Sequence, residues 1–274
     1  FVLIVYSVLG CGGSPQPIRV ISYNILEGFE TDKTMPNGIT RKKAVSDWLC
    51  EQQPDIVGFQ ELNGYSEEKL QGEAAQWDHA YAATNKTRGY IVGITSRYPI
   101  DVIEKRMAGM HHGLIHVRTN GIDVIVTHFS PFQWSVRNKE AAIVAEKVKA
   151  CLQNNQPVIV MGDLNANSPQ DADLVTEDYL RRRKASDERY DHVQNLEDGK
   201  LSFTCLQTLL DCGLLDVYAP WKENSQTGHR MRIDYILASR DLAKTVHKAS
   251  WLVQAKFKDY SDHYPVLADF SGLH

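Results

Sequence analysis

Apolar residues recur along this chain with two periods, and the order in which those periods alternate predicts the architecture. Ile18-Arg19-Val20-Ile21-Ser22-Tyr23-Asn24 alternates apolar and polar residues as a half-buried strand does. A helix-like stretch follows from about Arg41 to Gln52, and Pro54-Asp55-Ile56-Val57-Gly58-Phe59-Gln60-Glu61 then reads as a buried strand ending in polar groups. The same order returns downstream: a strand over Ile122-Asp123-Val124-Ile125-Val126-Thr127-His128, a helix from Arg137 to Leu152, and a buried strand over Pro157-Val158-Ile159-Val160-Met161-Gly162-Asp163. Asn24 lies 37 positions before Glu61 and His128 lies 35 before Asp163, so one strand–helix–strand unit of about 35 residues occurs twice.

Two such units, each with helices over one sheet face, bury their remaining faces by stacking sheet on sheet. The pattern therefore predicts an α/β four-layer α/β/β/α sandwich: two stacked mixed sheets flanked by helices. Further strands are expected at Tyr90–Ser96, Gly113–Val117, Arg232–Leu237 and Pro265–Phe270. Every polar residue singled out below falls at a strand terminus or just after it, so the arrangement brings them to one edge of the sandwich. The stretch from Ser168 to Lys200 is polar and charge-rich, with one helix-like portion from Ala172 to Lys184. Its Arg181-Arg182-Arg183-Lys184 run suits the solvated end of a helix, where cations complement the dipole, better than a polyanion contact.

Composition changes this picture little. With 274 residues, 43% hydrophobic and 23% charged, one large domain is the default. A net charge of −4 argues against coating nucleic acid by bulk electrostatics, which needs an excess of Lys and Arg, and leaves a local basic groove open.

The amino-terminal segment bears on location. Phe1 to Leu9 is apolar but too short to span a bilayer, and it ends in Val8-Leu9-Gly10-Cys11 before a Gly/Ser/Pro stretch. This resembles the tail of a bacterial lipoprotein signal, truncated because neither an initiator Met nor a basic region precedes it. The resemblance implies residues 1–11 as signal and lipidated Cys11, 12–17 as tether and 18–274 as the domain of a monomer. The expected location is then extracytoplasmic, membrane-anchored in the periplasm or at the cell surface. The plainer reading is a buried first strand followed by a turn. Cys50 and Cys151 each end a helix-like segment. Cys205 and Cys212 lie seven apart, a rise of about 10 Å on one helix, beyond disulfide reach. Mostly buried free thiols are expected, with no Cys/His spacing for structural zinc.

The candidate chemistry lies in short motifs at the strand ends. Phosphoester hydrolysis needs a metal to offset charge, an activated water, donors to the phosphoryl oxygens and help for the leaving oxygen. Glu61, with Asn24 and Asp262, offers the hard oxygen ligands that magnesium prefers. Asp163 and Asn165, two apart after a buried strand, point the same way, the carboxylate toward a water and the amide toward a phosphate oxygen. His263 serves as base or cationic stabiliser, with Asp234 fixing its tautomer. Each motif alone has an ordinary structural explanation, a turn, a cap or a rim histidine, and the functional reading depends on their joint presence.

The set resembles the endonuclease/exonuclease/phosphatase superfamily of DNase I-like fold. The resemblance rests on Ser22-Tyr23-Asn24-Ile25, Gln60-Glu61, Thr127-His128-Phe129, Gly162-Asp163-Leu164-Asn165, Ile233-Asp234-Tyr235-Ile236 and Ser261-Asp262-His263-Tyr264-Pro265, in the expected order from Ile18 to Phe270. It implies Glu61 as the principal ligand of Mg²⁺, with Mn²⁺ as a substitute, and Asn24 and Asp262 completing the metal environment. Asp163 and Asn165 would hold the nucleophilic water and the phosphate, Asp234 and His263 would form an Asp-His pair, and His128 would contact the scissile phosphate or the leaving group. The general base is left open.

The resemblance implies an Mg-dependent hydrolase of phosphodiesters or phosphomonoesters, and the compact chain favours nuclease action on nucleic acid. A sphingomyelinase-like or inositol-phosphatase-like enzyme is the alternative, and a non-catalytic lipoprotein that binds phosphorylated ligands is the remote one. Substrate choice lies in the surrounding loops, where Tyr65, Arg88, Tyr90, His111, His112 and Trp134 are candidates to stack on a base or seat a sugar or head group.

Overall fold

The computed structural model describes residues 17–29, 34–35, 38–222 and 231–271. Its elements in chain order begin with β1 Ile18–Asn24, α1 Arg41–Gln52, β2 Ile56–Gln60, α2 Glu67–Ala74, β3 Tyr81–Thr84 and β4 Gly93–Ser96. The middle holds β5 Ile100–Arg106, β6 Leu114–Thr119, β7 Ile122–His128, α3 Trp134–Gln153, β8 Val158–Asp163 and α4 Glu177–Arg189. The chain continues through β9 Leu196–Glu197, β10 Lys200–Leu201, α5 Thr204–Asp211 and β11 Leu214–Asp216. It closes with β12 Asp234–Ser239, α6 Arg240–Ala243, β13 Val246–Trp251, α7 Phe257–Tyr260 and β14 Val266–Phe270.

The strands form two mixed six-stranded sheets, ordered β13-β14-β1-β2-β4-β3 and β11-β12-β8-β7-β6-β5, beside a small β9-β10 hairpin. β1 and β2 are parallel through α1, as are β7 and β8 through α3, so both repeats form the expected unit. Their surroundings differ. In the first sheet β14 flanks the first strand of the unit and β4 the second; in the other, β12 flanks the second strand and β6 the first.

Alternation along each strand divides the core. Val20, Ile56, Val124, Val126, Ile159, Met161 and Ile236 meet between the sheets. Ile21, Tyr23, Val57 and Phe59 pack with Val45, Trp48 and Leu49 of α1, and Ile125, Val158, Val160 and Tyr235 pack with α3 and α5. The four layers follow from this period-two division. The sheets come close at Gly58, where an added Cβ would stand 2.7 Å from the Met161 Cε of the opposite sheet. α1 keeps its expected bounds because the Thr40 side chain accepts from Lys43 N at its start and Gln53, at φ 48, closes it in the left-handed region.

Some boundaries move. The strand expected from Tyr90 begins at Gly93, because Ile91 and Val92 spend their backbone groups on Leu62 and Asn85. The helix expected over Ala172–Lys184 is two elements, a 3-10 turn at Pro169–Leu174 and α4, since Thr176 caps a new start by accepting from Tyr179 N. Cys151, Cys205 and Cys212 are buried free thiols, while Cys50 is free but exposed. The expected signal, Cys11 and most of the tether lie outside the described residues. No helix among the described residues is long and apolar enough to cross a membrane.

Candidate active site

Strand register brings the polar termini to one edge. Asn24 ends β1 opposite Gln60, His128 ends β7 opposite Asp163, and Asp163 also faces Asp234, the first residue of antiparallel β12. The loop before β14 is fastened to the same edge by Ser261, whose Oγ donates to Asn24 O at 2.7 Å and accepts from His263 N at 3.1 Å.

Gly162 is what permits this approach. Its φ of 147 and its position 1.9 Å from Thr127 O, measured from an added Cβ, leave no room for a side chain, so β8 comes against β7 immediately before Asp163. The segment after β1 turns left-handed through Leu26, Glu27, Gly28 and Phe29, with φ between 52 and 63, held by Arg41 donating to Leu26 O at 2.8 Å. This turn aims Glu27 N at Glu61 Oε2, 3.0 Å away. Glu61 and Asn165 are themselves left-handed, at φ 61 and 48, strain of the kind that gathers at working sites.

Asp163 is the junction. Its Oδ2 accepts from Asn24 Nδ2 at 3.2 Å and stands 3.4 Å from His128 Nε2 and 3.5 Å from His263 Nε2, while Oδ1 accepts from Asn165 N at 2.9 Å. His263 uses its other nitrogen on Asp234 Oδ2 at 2.8 Å. Burial disfavours charge on all three members of the trio, and their mutual attraction decides the outcome. The His263 imidazole is held well above its ordinary value by Asp234 and Asp163 despite burial. Asp163 is held below the usual carboxylate range, since His263 and His128 outweigh the desolvation. Burial pushes Asp234 upward against the pull of His263, and its Oδ1 is buried without a hydrogen-bond partner. These directions favour an imidazolium at His263 facing an ionised Asp163 when no cation is bound.

The remaining expected residues are placed less uniformly. Asn24 is fully buried and its amide donates to Glu61 Oε1 at 3.0 Å while Oδ1 accepts from Leu26 N, so here it orients the carboxylate. Asn165 turns its Nδ2 onto Phe129 O at 3.1 Å. Asp262 is 56% exposed and stands 4.0 Å from His263 Nε2. Among the described residues, the metal-capable group of three at this edge is Asp163, Asp234 and His263, with ligand atoms within 4.8 Å of one another; Glu61 and Asp262 are outside it. Glu61 presents carboxylate oxygens of the hard kind that suits a divalent cation, steadied by Asn24 Nδ2 at Oε1 and Glu27 N at Oε2.

Beside His263 opens a cavity of about 380 Å³ lined by Asp234, Asp262, Met231, Ile233, Trp251 and Tyr264, with Arg182, Arg183 and Ser186 of α4 on its far wall. Arg181, Arg182 and Lys184 are exposed as expected of a solvated helix, while Arg182, ion-paired with Asp178 at 3.2 Å, and Arg183, donating to the Tyr179 hydroxyl, also line this cavity. Ser261 stands in the quoted motif without a role, and Glu27 is not in any, because their roles are hydrogen bonds to residues far away or to backbone. Of the loop candidates, Tyr65 is core, 3% exposed and donating to Glu73, whereas Tyr90 is 38% exposed and donates to Glu27 Oε1 at 3.2 Å.

Solved structures share this architecture. An AP endonuclease from Archaeoglobus fulgidus superposes with TM-score 0.66 at 20% identity, covering 92% of this chain and 99% of its own. The 3' phosphatase NExo from Neisseria, bound to product DNA hairpin, gives 0.64 at 18%, covering 92% and 99%. D. rerio TDP2 complexed with single strand DNA product gives 0.60 at 18%, covering 93% and 98%. At these identities the likeness establishes the DNase I-like fold. No curated protein matches the chain in sequence. The model of the Endonuclease/Exonuclease/phosphatase family matches residues 21–263, from within β1 to His263 itself. The chain thus belongs to that family and is a phosphoester hydrolase.

Proposed function

We propose that this protein is a divalent-cation-dependent phosphodiesterase, with Mg²⁺ as its cation, that acts on nucleic acid. The observation that carries the reading is the junction at Asp163 Oδ2, where an amide from one sheet and two imidazoles meet on one buried carboxylate. A cation held by Glu61, with Asn24 and Asp262 around it, would supply charge neutralisation at the phosphate. Asp163, kept ionised by its neighbours, orients the attacking water and takes its proton at Oδ2. Asp234 fixes His263 through Nδ1, so that Nε2–H faces Asp163 and offsets charge on the phosphoryl oxygens. His128, on another side of the same oxygen, hydrogen-bonds the phosphate or leaving oxygen, and Asn165 donates to the phosphate after leaving Phe129 O.

Nucleic acid is favoured because the neighbours described as an AP endonuclease, a DNA-bound 3' phosphatase and a DNA-bound TDP2 act on or hold DNA. Arg182 and Arg183 at the cavity add cations for a further backbone phosphate. Supercoiled plasmid should be nicked in Mg²⁺ and left intact in EDTA and by His263→Ala. If the wild-type protein nicks nothing, sphingomyelin, phosphoinositides and small phosphate esters become the substrates to assay. A membrane tether through lipidated Cys11 rests on sequence alone. Cys11→Ser, expressed behind a complete signal, should leave the membrane fraction, and persistent association would remove the lipoprotein reading.

A further inference from the structure

His128 is the inner end of a run of rings that leads from the Asp163 junction to the surface. The His112 ring lies 4.3 Å from that of His128, tilted by 36°. His111 follows at 4.3 Å, Phe132 at 5.3 Å, His192 at 5.0 Å and Tyr190 at 5.9 Å. Tyr90 branches from His112 at 5.0 Å. His112 is buried, Phe132 half-buried, and His111, His192, Tyr190 and Tyr90 are exposed.

The backbone under these rings is fixed. Glu140, fully buried on α3, accepts from His111 N at 2.7 Å and from Ser130 N at 2.8 Å, and so joins the loop before β6 to the loop after β7. The segment carrying His192 is stitched to the Phe132 loop by Gln194 N donating to Phe132 O at 2.8 Å and Trp134 N donating to Gln194 O at 2.9 Å. Three loops thus hold one line of rings in place before any ligand arrives, which lowers the ordering cost of binding.

The chemistry of the line selects its ligand. Burial and neighbouring cations push His111 and His112 below the ordinary imidazole value; His112 is covered and backs the line, while exposed His111, His192, Tyr190 and Tyr90 present its aromatic surface. Cations flank the line: Arg189 lies 5.1 Å over the Tyr190 ring, and Lys86 is near enough to act on His111 and His112. An acyl chain would want aliphatic side chains, and a quaternary ammonium would want rings caged about one point. Rings in file beside cations, beginning at a phosphate-handling histidine, suit successive unpaired bases, each of which has a π-face to stack. We infer that this track binds the bases of single-stranded nucleic acid whose scissile phosphate lies at Asp163, an inference that rests on the phosphodiesterase reading.

The test is fluorescence anisotropy of labelled oligothymidylate of about twelve nucleotides, beside an abasic oligomer and a duplex of equal length, with the full chain in EDTA. The single strand should bind roughly tenfold or more tighter than the abasic oligomer. Tyr190→Ala/His192→Ala, both at exposed positions, should weaken it about tenfold while hydrolysis of bis(p-nitrophenyl) phosphate in Mg²⁺ stays at the wild-type rate. Phe132→Leu, which keeps bulk without a ring, should weaken it in the same direction. Equal binding of abasic and base-bearing oligomers, preference for the duplex, no binding at all, or unchanged affinity in an active double variant would each overturn the track. If the wild-type protein prefers the base-bearing strand yet hydrolyses neither ester nor oligonucleotide, the phosphodiesterase reading fails and the track stands.

Discussion

At Asp163 a single carboxylate oxygen serves both sheets, and the charge of its surroundings sets a pH signature. His263 is raised above its ordinary value of 6.5, so its contribution to stability is complete below that pH and is lost as the pH rises through the raised folded value. Asp163 is lowered from 3.8, so its contribution is complete above that pH and is lost as the pH falls through the lowered value. In the metal-free protein, the stability excess of wild type over His263→Ala should therefore decline steadily on the alkaline side of 6.5. Urea denaturation in EDTA would read it, and a constant difference from about pH 6 to about pH 9 would refute the ion-paired trio. At this scale the sequence was informative about residue identity. The Asp163/Asn165 spacing predicts both on one side of an extended segment, but β8 ends at Asp163 and Asn165 is left-handed, and nothing local revealed that Asn165 would turn to Phe129 O or that His112 would pack on His128.

At the scale of elements, β8 shows how a strand is adapted to deliver one side chain. Gly162→Ala should destabilise by about 1–3 kcal/mol and reduce kcat, because the displaced backbone carries Asp163 with it; thermal unfolding and steady-state rates measure both. Wild-type values in both would show that Thr127 O can yield. β1, α1, β2, β7 and β8 were legible because their apolar periods are strong and local. Where two signals compete locally the boundary moved. The polar stretch at Ala172–Lys184 reads as one helix until Thr176 caps a second, and Tyr90–Val92 reads as strand until its backbone groups bond into loops.

At the scale of the whole molecule, buried Arg232 ties segments distant in sequence, with Nη2 donating to Asp171 Oδ2 at 3.0 Å and Nη1 to Asp216 Oδ1 at 3.0 Å. Arg232→Met leaves buried Asp216 without its cation and Asp171 with Lys222 alone, beside the strand that carries Asp234, and should lower stability by about 3–5 kcal/mol in chemical denaturation. A loss under about 1 kcal/mol would mean that solvent reaches the carboxylates. The sequence by itself determined the repeated strand–helix–strand unit, the polar strand ends and the residue types of a phosphoester-hydrolysing family, because periodicity and motif spacing are properties of near neighbours. Only the tertiary structure decided that β14 lies beside the first strand of one unit and β12 beside the second strand of the other. It also set Asn24 against Asp163, 139 residues apart, and Ser261 against Asn24, 237 apart, and faced two α4 arginines onto the cavity. Those contacts arise from how two sheets stack and register, and side chains brought together by packing leave no period in the chain that encodes them.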